Sequence, residues 1–152
     1  MTRQQKYPDT DTFHYHNQNP KNRITGDCTI RAISTGTGIP YNEVVMGLAR
    51  LQCETGYDAD KCIDRYMKSV GWVKQKQPRK DDGTKYTGAD FCRWLSVNYG
   101  KGQIGDIVCN IGGHHMVAIK PTNSGDGINC RYKVHDIWNS TYKCIGNYWT
   151  KG

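Results

Sequence analysis

Three parts of the chain carry side chains able to act together on a carbonyl carbon. The first is Cys28, set in Asn-Arg-Ile-Thr-Gly-Asp-Cys-Thr-Ile-Arg-Ala-Ile-Ser from Asn22 to Ser34. The second is the pair His114-His115, which opens the apolar run Met116-Val117-Ala118-Ile119. The third is His135-Asp136-Ile137-Trp138-Asn139. A thiol, an imidazole and a carboxylate or amide supply a nucleophile, a base and a group that orients the base. The thiolate is the reactive form of cysteine, and a helix N-terminus favours it through unpaired N–H groups and the positive end of the helix dipole. The Thr-Gly-Asp turn delivers Cys28 to such a place. Thr25 and Asp27 are good N-cap residues, Gly26 permits an unusual backbone angle, and Ile30, Ala32 and Ile33 give a helix over residues 28–34 its buried side. The competing reading makes Cys28 a buried small hydrophobe, as most free cysteines are.

His114 and His115 alternate across a strand, so only one can face the cysteine helix. His115 shares a face with Val117 and Ile119, and His114 with Met116 and Ala118; alternation alone leaves both open. Asp136 is the candidate orienting carboxylate, costly to bury as an ion without a partner such as an imidazole N–H. Asn139 is the alternative. Trp138 suits either a shield over the His–Asp bond or a plain core role, and His135, pointing away from Asp136, is expected at the surface. If Asp27 caps the helix, its charge turns into the first-turn amides and away from the thiol. A closed zinc site built on Cys28, His115 and Asp136 would be one ligand short, so neither metal nor cofactor is expected.

These side chains need a scaffold, and 152 residues suffice for one domain with its own core. Residues 1–21 are polar and aperiodic and read as a flexible N-terminal arm, wrapping the domain in part through Tyr7, Phe13 and Tyr15; residues 22–152 read as the single domain. His14 and His16 in that arm are too few for a metal site. Helical spacing of Val44, Val45, Leu48 and Leu51 predicts a second helix over 40–53, started by Pro40 and broken by Gly56. Cys62, Ile63, Tyr66, Met67 and Val70 mark a third over 58–69, and Phe91, Trp94 and Leu95 a fourth over 88–97. Trp72 begins an extended segment. Short apolar runs then predict strands over 106–111, 114–120, 128–137 and 142–149, with a turn at Gly112-Gly113 and a turn-rich loop at 123–127. Helices first and strands after make an α+β domain, the cysteine helix packed on a C-terminal antiparallel sheet of about four or more strands.

Seven cysteines are an odd number without zinc-finger spacing. They fit a reducing cytoplasm better than a secreted disulfide framework. No apolar run approaches membrane-spanning length. The net charge of +7 favours acidic partners. Five of the twelve residues 74–85 are cationic (Lys74, Lys76, Arg79, Lys80 and Lys85), which suits a solvated loop or a contact with phosphate or an acidic protein.

Gly-Asp-Cys-Thr-Ile-Arg-Ala-Ile, followed by Gly-Ile-Pro-Tyr-Asn-Glu-Val, resembles small phage and bacterial proteins with a papain-like cysteine-peptidase fold. So does the later pattern, a His opening an apolar strand and then Asp136-Ile137-Trp138. The resemblance covers most of the chain, from about Asn22 to Trp149. It implies a papain-like hydrolase, a peptidase or amidase acting on a peptide or protein through an acyl-enzyme, with Cys28, His115 and Asp136 as its triad and no cofactor. It also implies an oxyanion-hole side chain shortly before the cysteine, and Asn22, six positions upstream, supplies an amide there. The Cys-Gly-Ser-Cys-Trp signature of papain itself is absent. The alternative on the same fold is a catalytically inactive scaffold that binds a host protein or nucleic acid through its basic loops.

Overall fold

The computed structural model describes residues 1–123 and 129–152, the side chain of Ala59 apart. Among them are five helices and one six-stranded mixed sheet: α1 (Arg3–Lys6), β1 (Phe13–Tyr15), α2 (Cys28–Thr37), α3 (Tyr41–Thr55), α4 (Ala59–Ser69), β2 (Trp72–Gln75), α5 (Gly88–Asn98), β3 (Ile107–Ile111), β4 (His115–Asn123), β5 (Cys130–Asp136) and β6 (Ile145–Lys151). The helices start and stop where local chemistry directs. Pro40 precedes α3, Asp58 and Thr87 accept the backbone N–H of Lys61 and Asp90 at the heads of α4 and α5, and Gly38 and Gly56 end α2 and α3 with positive φ.

The strand order is β1-β5-β4-β3-β6-β2. Four of its five pairings are antiparallel, but β1 runs parallel to β5, with Phe13 opposite Val134 and Tyr15 opposite Asp136. The sheet is therefore mixed, not antiparallel as the sequence reading had it. The same strand shows how residues 1–21, read as an arm wrapping the domain in part through Tyr7, Phe13 and Tyr15, meet the core. Phe13 is wholly buried among Val134, Tyr132 and the α5 side chains, so the segment contributes an edge of the sheet. An aperiodic polar stretch hides a three-residue strand because one buried aromatic is enough to anchor it.

Apolar side chains fill both faces. Ile107, Cys109, Ile111, Val117, Ile119, Tyr132 and Val134 pack against Phe91 and Leu95 of α5. Val108, Met116 and Trp149 pack on the opposite face against Ala32 and Ile33 of α2, with Val44, Leu48 and Met67 behind them. The helix carrying Cys28 lies close to the strands because Gly36 has no side chain: a Cβ there would stand 2.5 Å from Val108 Cγ2. Trp94, expected to point inward, is 39% exposed and stacks on Phe91. β4 runs to Asn123, beyond the anticipated stop at residue 120 and through Pro121. The β3 pairing ends at Ile119, so the missing N–H of Pro121 interrupts no ladder on that side. The predicted loop at 123–127 and the strand start at Ile128 lie, from residue 124 on, outside the described residues.

Candidate active site

Cys28 is the first residue of α2, His115 the first of β4 and Asp136 the last of β5. Pairing of β4 with β5 stops at Ala118 opposite His135, and beyond that rung a side-chain bond links the two strands. His115 Nε2 lies 2.5 Å from Asp136 Oδ2. The imidazole also acts on the Cys28 thiol, whose pKa it lowers. With Nε2 bonded to Asp136, Nδ1 is the nitrogen left for the sulfur. Trp138 lies over the ring, centroids 4.9 Å apart. His115 follows the parity of Val117 and Ile119, which face α5, yet it meets α2. At the end of both strand and helix the division into two faces no longer holds.

The electrostatics suit a nucleophile. Burial alone would push the Cys28 thiol up, but hydrogen bonds from His115, the Met116 backbone N–H and the Thr29 hydroxyl outweigh it and hold the thiol below its ordinary range. Burial likewise opposes a charged His115. The Asp136 carboxylate and the Cys28 sulfur overcome that and push it up to about 9. Cys92 and Cys109 go the other way, raised by complete burial, which in Cys92 outweighs the Val134 backbone and the Arg93 charge.

Behind Cys28, His115 and Asp136 lies a buried ionic chain that the sequence reading missed. Arg31 donates through Nη1 to Asp136 Oδ1 at 2.6 Å and through Nε to Asp27 Oδ1 at 2.8 Å. These side chains are only 7%, 1% and 6% exposed for Arg31, Asp136 and Asp27 respectively. The Ile137 N–H also donates to Asp136 Oδ1, at 2.7 Å, leaving Oδ2 for the imidazole. Asp27 Oδ2 accepts from Tyr41 Oη at 2.6 Å and Asn19 Nδ2 at 3.0 Å. Burial and the bond to Asp27 push the Tyr41 phenol up to about 12. Asp27 sits at the N-cap position but makes no side-chain cap bond. The expectation that its charge turns into the first-turn amides is thus corrected: Arg31 draws it instead. The signal available in sequence was the i,i+4 spacing of Asp27 and Arg31.

Other predicted residues stand apart. His114 is exposed. Asn139 Oδ1 accepts from Thr141 N–H and Oγ1, a local turn. Asn22 is exposed with φ +53, its Oδ1 accepting from Asn17 Nδ2 at 3.3 Å. His135, expected at the surface, is half-buried beside His14, ring centroids 4.9 Å apart; burial, then the charges of His14, His16 and Lys120, push it down to about 4. In the basic loop Lys74 pairs with Asp64 at 3.1 Å and Lys80 with Asp90 at 2.8 Å. Among the described residues no group of three or more His, Cys, Asp or Glu side chains is disposed to hold a metal ion, and no helix is long and apolar enough to cross a membrane. No protein-family model, curated protein or solved structure matches the chain, so its site must be read from its own geometry.

Proposed function

We propose that this chain is a papain-like cysteine hydrolase, a peptidase or amidase working through an acyl-enzyme with Cys28, His115 and Asp136 as its triad. The observation that carries the reading is one imidazole bonded to a buried carboxylate and acting on the thiol at the head of α2. The lowered thiol and the imidazole raised to about 9 both favour the thiolate–imidazolium form of the pair. Cys28 Sγ attacks the amide carbon, a C–S bond forms, and the carbonyl π pair moves onto oxygen. The Cys28 backbone N–H, at the head of α2 where no intrahelical acceptor exists, stabilises that oxygen; Asn22, which the resemblance implied for this role, stands apart. As the C–N bond breaks, His115 Nδ1–H protonates the departing amine. Water then attacks the thioester while His115 takes its proton, the C–S bond breaks, and the carboxylic acid leaves. Asp136 accepts from Nε2–H throughout, holding the ring's tautomer and its positive charge. Seven free thiols suit a reducing compartment such as the cytoplasm.

Brief iodoacetamide treatment at about pH 6, below the ordinary thiol pKa of ~8.5, followed by peptide mapping, tests the reading. Cys28 is expected to be labelled first, and His115→Ala to abolish that advantage. Labelling of exposed Cys53 or Cys144 ahead of Cys28 overturns it.

A further inference from the structure

We infer that the cavity between the C-terminal half of α2 and the β1–β5–β4 side of the sheet binds a phosphate-type oxyanion, free or at the end of a phosphate monoester. Neither Cys28 nor His115 lines it, and the inference does not rest on the hydrolase reading. The cavity measures about 330 Å³, and His14, His16, His135, Lys120, Gln18 and Ser34 are in its walls. Among the described residues that line it, none is Asp or Glu.

The register of the sheet brings the imidazoles together. Phe13 and Tyr15 of β1 turn to the α5 side, so His14 between them faces α2. Parallel pairing sets His14 opposite His135, ring centroids 4.9 Å apart, and His16 lies 6.2 Å from His135. Lys120 stands two residues beyond Ala118, the partner of His135 on β4, and its Nζ donates to the Thr35 carbonyl at 3.2 Å. One nitrogen of each ring is already engaged. Asp9 Oδ2 accepts from His14 Nδ1 at 2.7 Å, Gln18 Oε1 from His16 Nε2 at 2.6 Å and the Lys133 carbonyl from His135 Nδ1 at 3.1 Å. These oxygens only accept, so a proton must join the second nitrogen of each ring, and that proton gives the ring an N–H to offer a ligand.

The charges decide the class of ligand. Lys120 brings a fixed cation into the walls, which repels a metal ion and attracts an anion. Burial, then the charges of His14, His16 and Lys120, hold His135 down to about 4 against its bond to Lys133, as expected of a cluster short of negative charge. Lys133, opposite Lys120 in the β4–β5 pairing, adds to the positive side. Two carboxylates border the group, Asp9 on His14 and Asp106 3.8 Å from Lys120, and neither lines the cavity. The carbonyls at the end of α2 would oppose an anion, but those of Ser34 and Thr35 accept from the Gly38 N–H and from Lys120 Nζ. A dianion supplies the missing charge and draws protons onto the imidazoles, so binding and protonation reinforce each other. The volume lies at the lower end of ligand pockets, enough for the oxyanion and part of an ester group.

Sulfate is the first probe, because it keeps both negative charges across the range in which histidine takes its proton, so any pH dependence belongs to the protein. Calorimetric titration of the full chain at constant ionic strength is expected to show sulfate bound at least about tenfold more tightly at about pH 5.5 than at about pH 8. With sulfate bound, the His135 ring resonances should titrate at least about one unit above their position near 4; that shift is read in the unmodified protein and needs no variant. Lys120→Met is expected to weaken sulfate binding about tenfold or more at both pH values, the effect of losing one charge-assisted hydrogen bond. Lys74→Met removes the same charge from the basic loop and should leave the affinity within about twofold. Inorganic phosphate and adenosine monophosphate at about pH 5.5 then separate the two sources: tighter binding of the ester assigns the monoester, and equal or weaker binding assigns the free ion. Equal sulfate affinity at the two pH values, a His135 titration that sulfate leaves in place, or equal losses in Lys120→Met and Lys74→Met overturns the inference. None of these outcomes touches the labelling of Cys28 on which the hydrolase reading stands.

Discussion

Asp136→Asn isolates the charge that holds His115. The substitution keeps the side chain's shape but removes the charge, and its single oxygen can accept from His115 or from Arg31 and the Ile137 N–H, not from both sets. His115 stands at about 9 against its ordinary 6.5. At about 1.4 kcal/mol for each pKa unit, that difference is of the order of 3 kcal/mol favouring the imidazolium. The Cys28 sulfur supplies part of it, so loss of the carboxylate should bring His115 down by about one to two units. The sign follows from the direction: the contribution to stability is complete below about 6.5 and disappears as pH rises through about 9. We predict that the ring resonances of His115, followed by NMR from pH 5 to 10, titrate near 9 in the unmodified protein. In Asp136→Asn they should titrate about one to two units lower, with iodoacetamide labelling of Cys28 at pH 6 slowed about tenfold. Arg31 keeps its bond to Asp27, so the far-ultraviolet circular dichroism should not change. A His115 that titrates near 6.5 in the unmodified protein, or whose titration is untouched by the substitution, refutes the reasoning.

Arg31→Met leaves two buried carboxylates without their cation and is expected to cost about 3–5 kcal/mol in urea unfolding; a cost under about 1 kcal/mol would show that the ionic chain is dispensable. Gly36→Ala presses a methyl onto Val108 across the α2–β3 contact, and about 1–3 kcal/mol should be lost in the same assay, with Val108→Ala restoring part of it. In Cys28→Ala the thiol's opposing proton linkage is gone, so thermal stability should fall as pH rises from about 6.5 towards the titration of His115, more steeply than in the unmodified protein. Differential scanning calorimetry over that range checks it, and equal slopes in the two proteins would disprove the coupling. His115→Ala should end the preferential labelling of Cys28 and His114→Ala should spare it, because only His115 is bonded to the thiol.

Periodicity located α2 to α5 and most of the strands because their buried stripes, such as Val44 and Leu48 on α3, repeat at the spacing of the element, whereas α1 buries nothing and showed no period. Residues 13–15 escaped because three residues are too few for a period to show. The triad candidates were visible because a thiol at a turn-to-helix junction and a carboxylate after an apolar strand are unusual company for a core. The choice of His115 over His114 was not readable from alternation, since it depends on where β4 and β5 stop pairing. Arg31 looked like an ordinary polar helix residue. Its burial comes from α2 being covered on nearly every side, with Ser34 and Thr35 also inside.

The parallel pairing of β1 with β5 sets an order of events during synthesis. Phe13 lies opposite Val134, and the backbone N–H of His16 donates to the carbonyl of Asp136 at 2.9 Å. β1, made well before β5, thus waits for it before it has a partner, and contacts of such sequence separation form late. His115 and Asp136 come with the same late β4–β5 segment, so in the nascent chain Cys28 stands without either until that segment has folded.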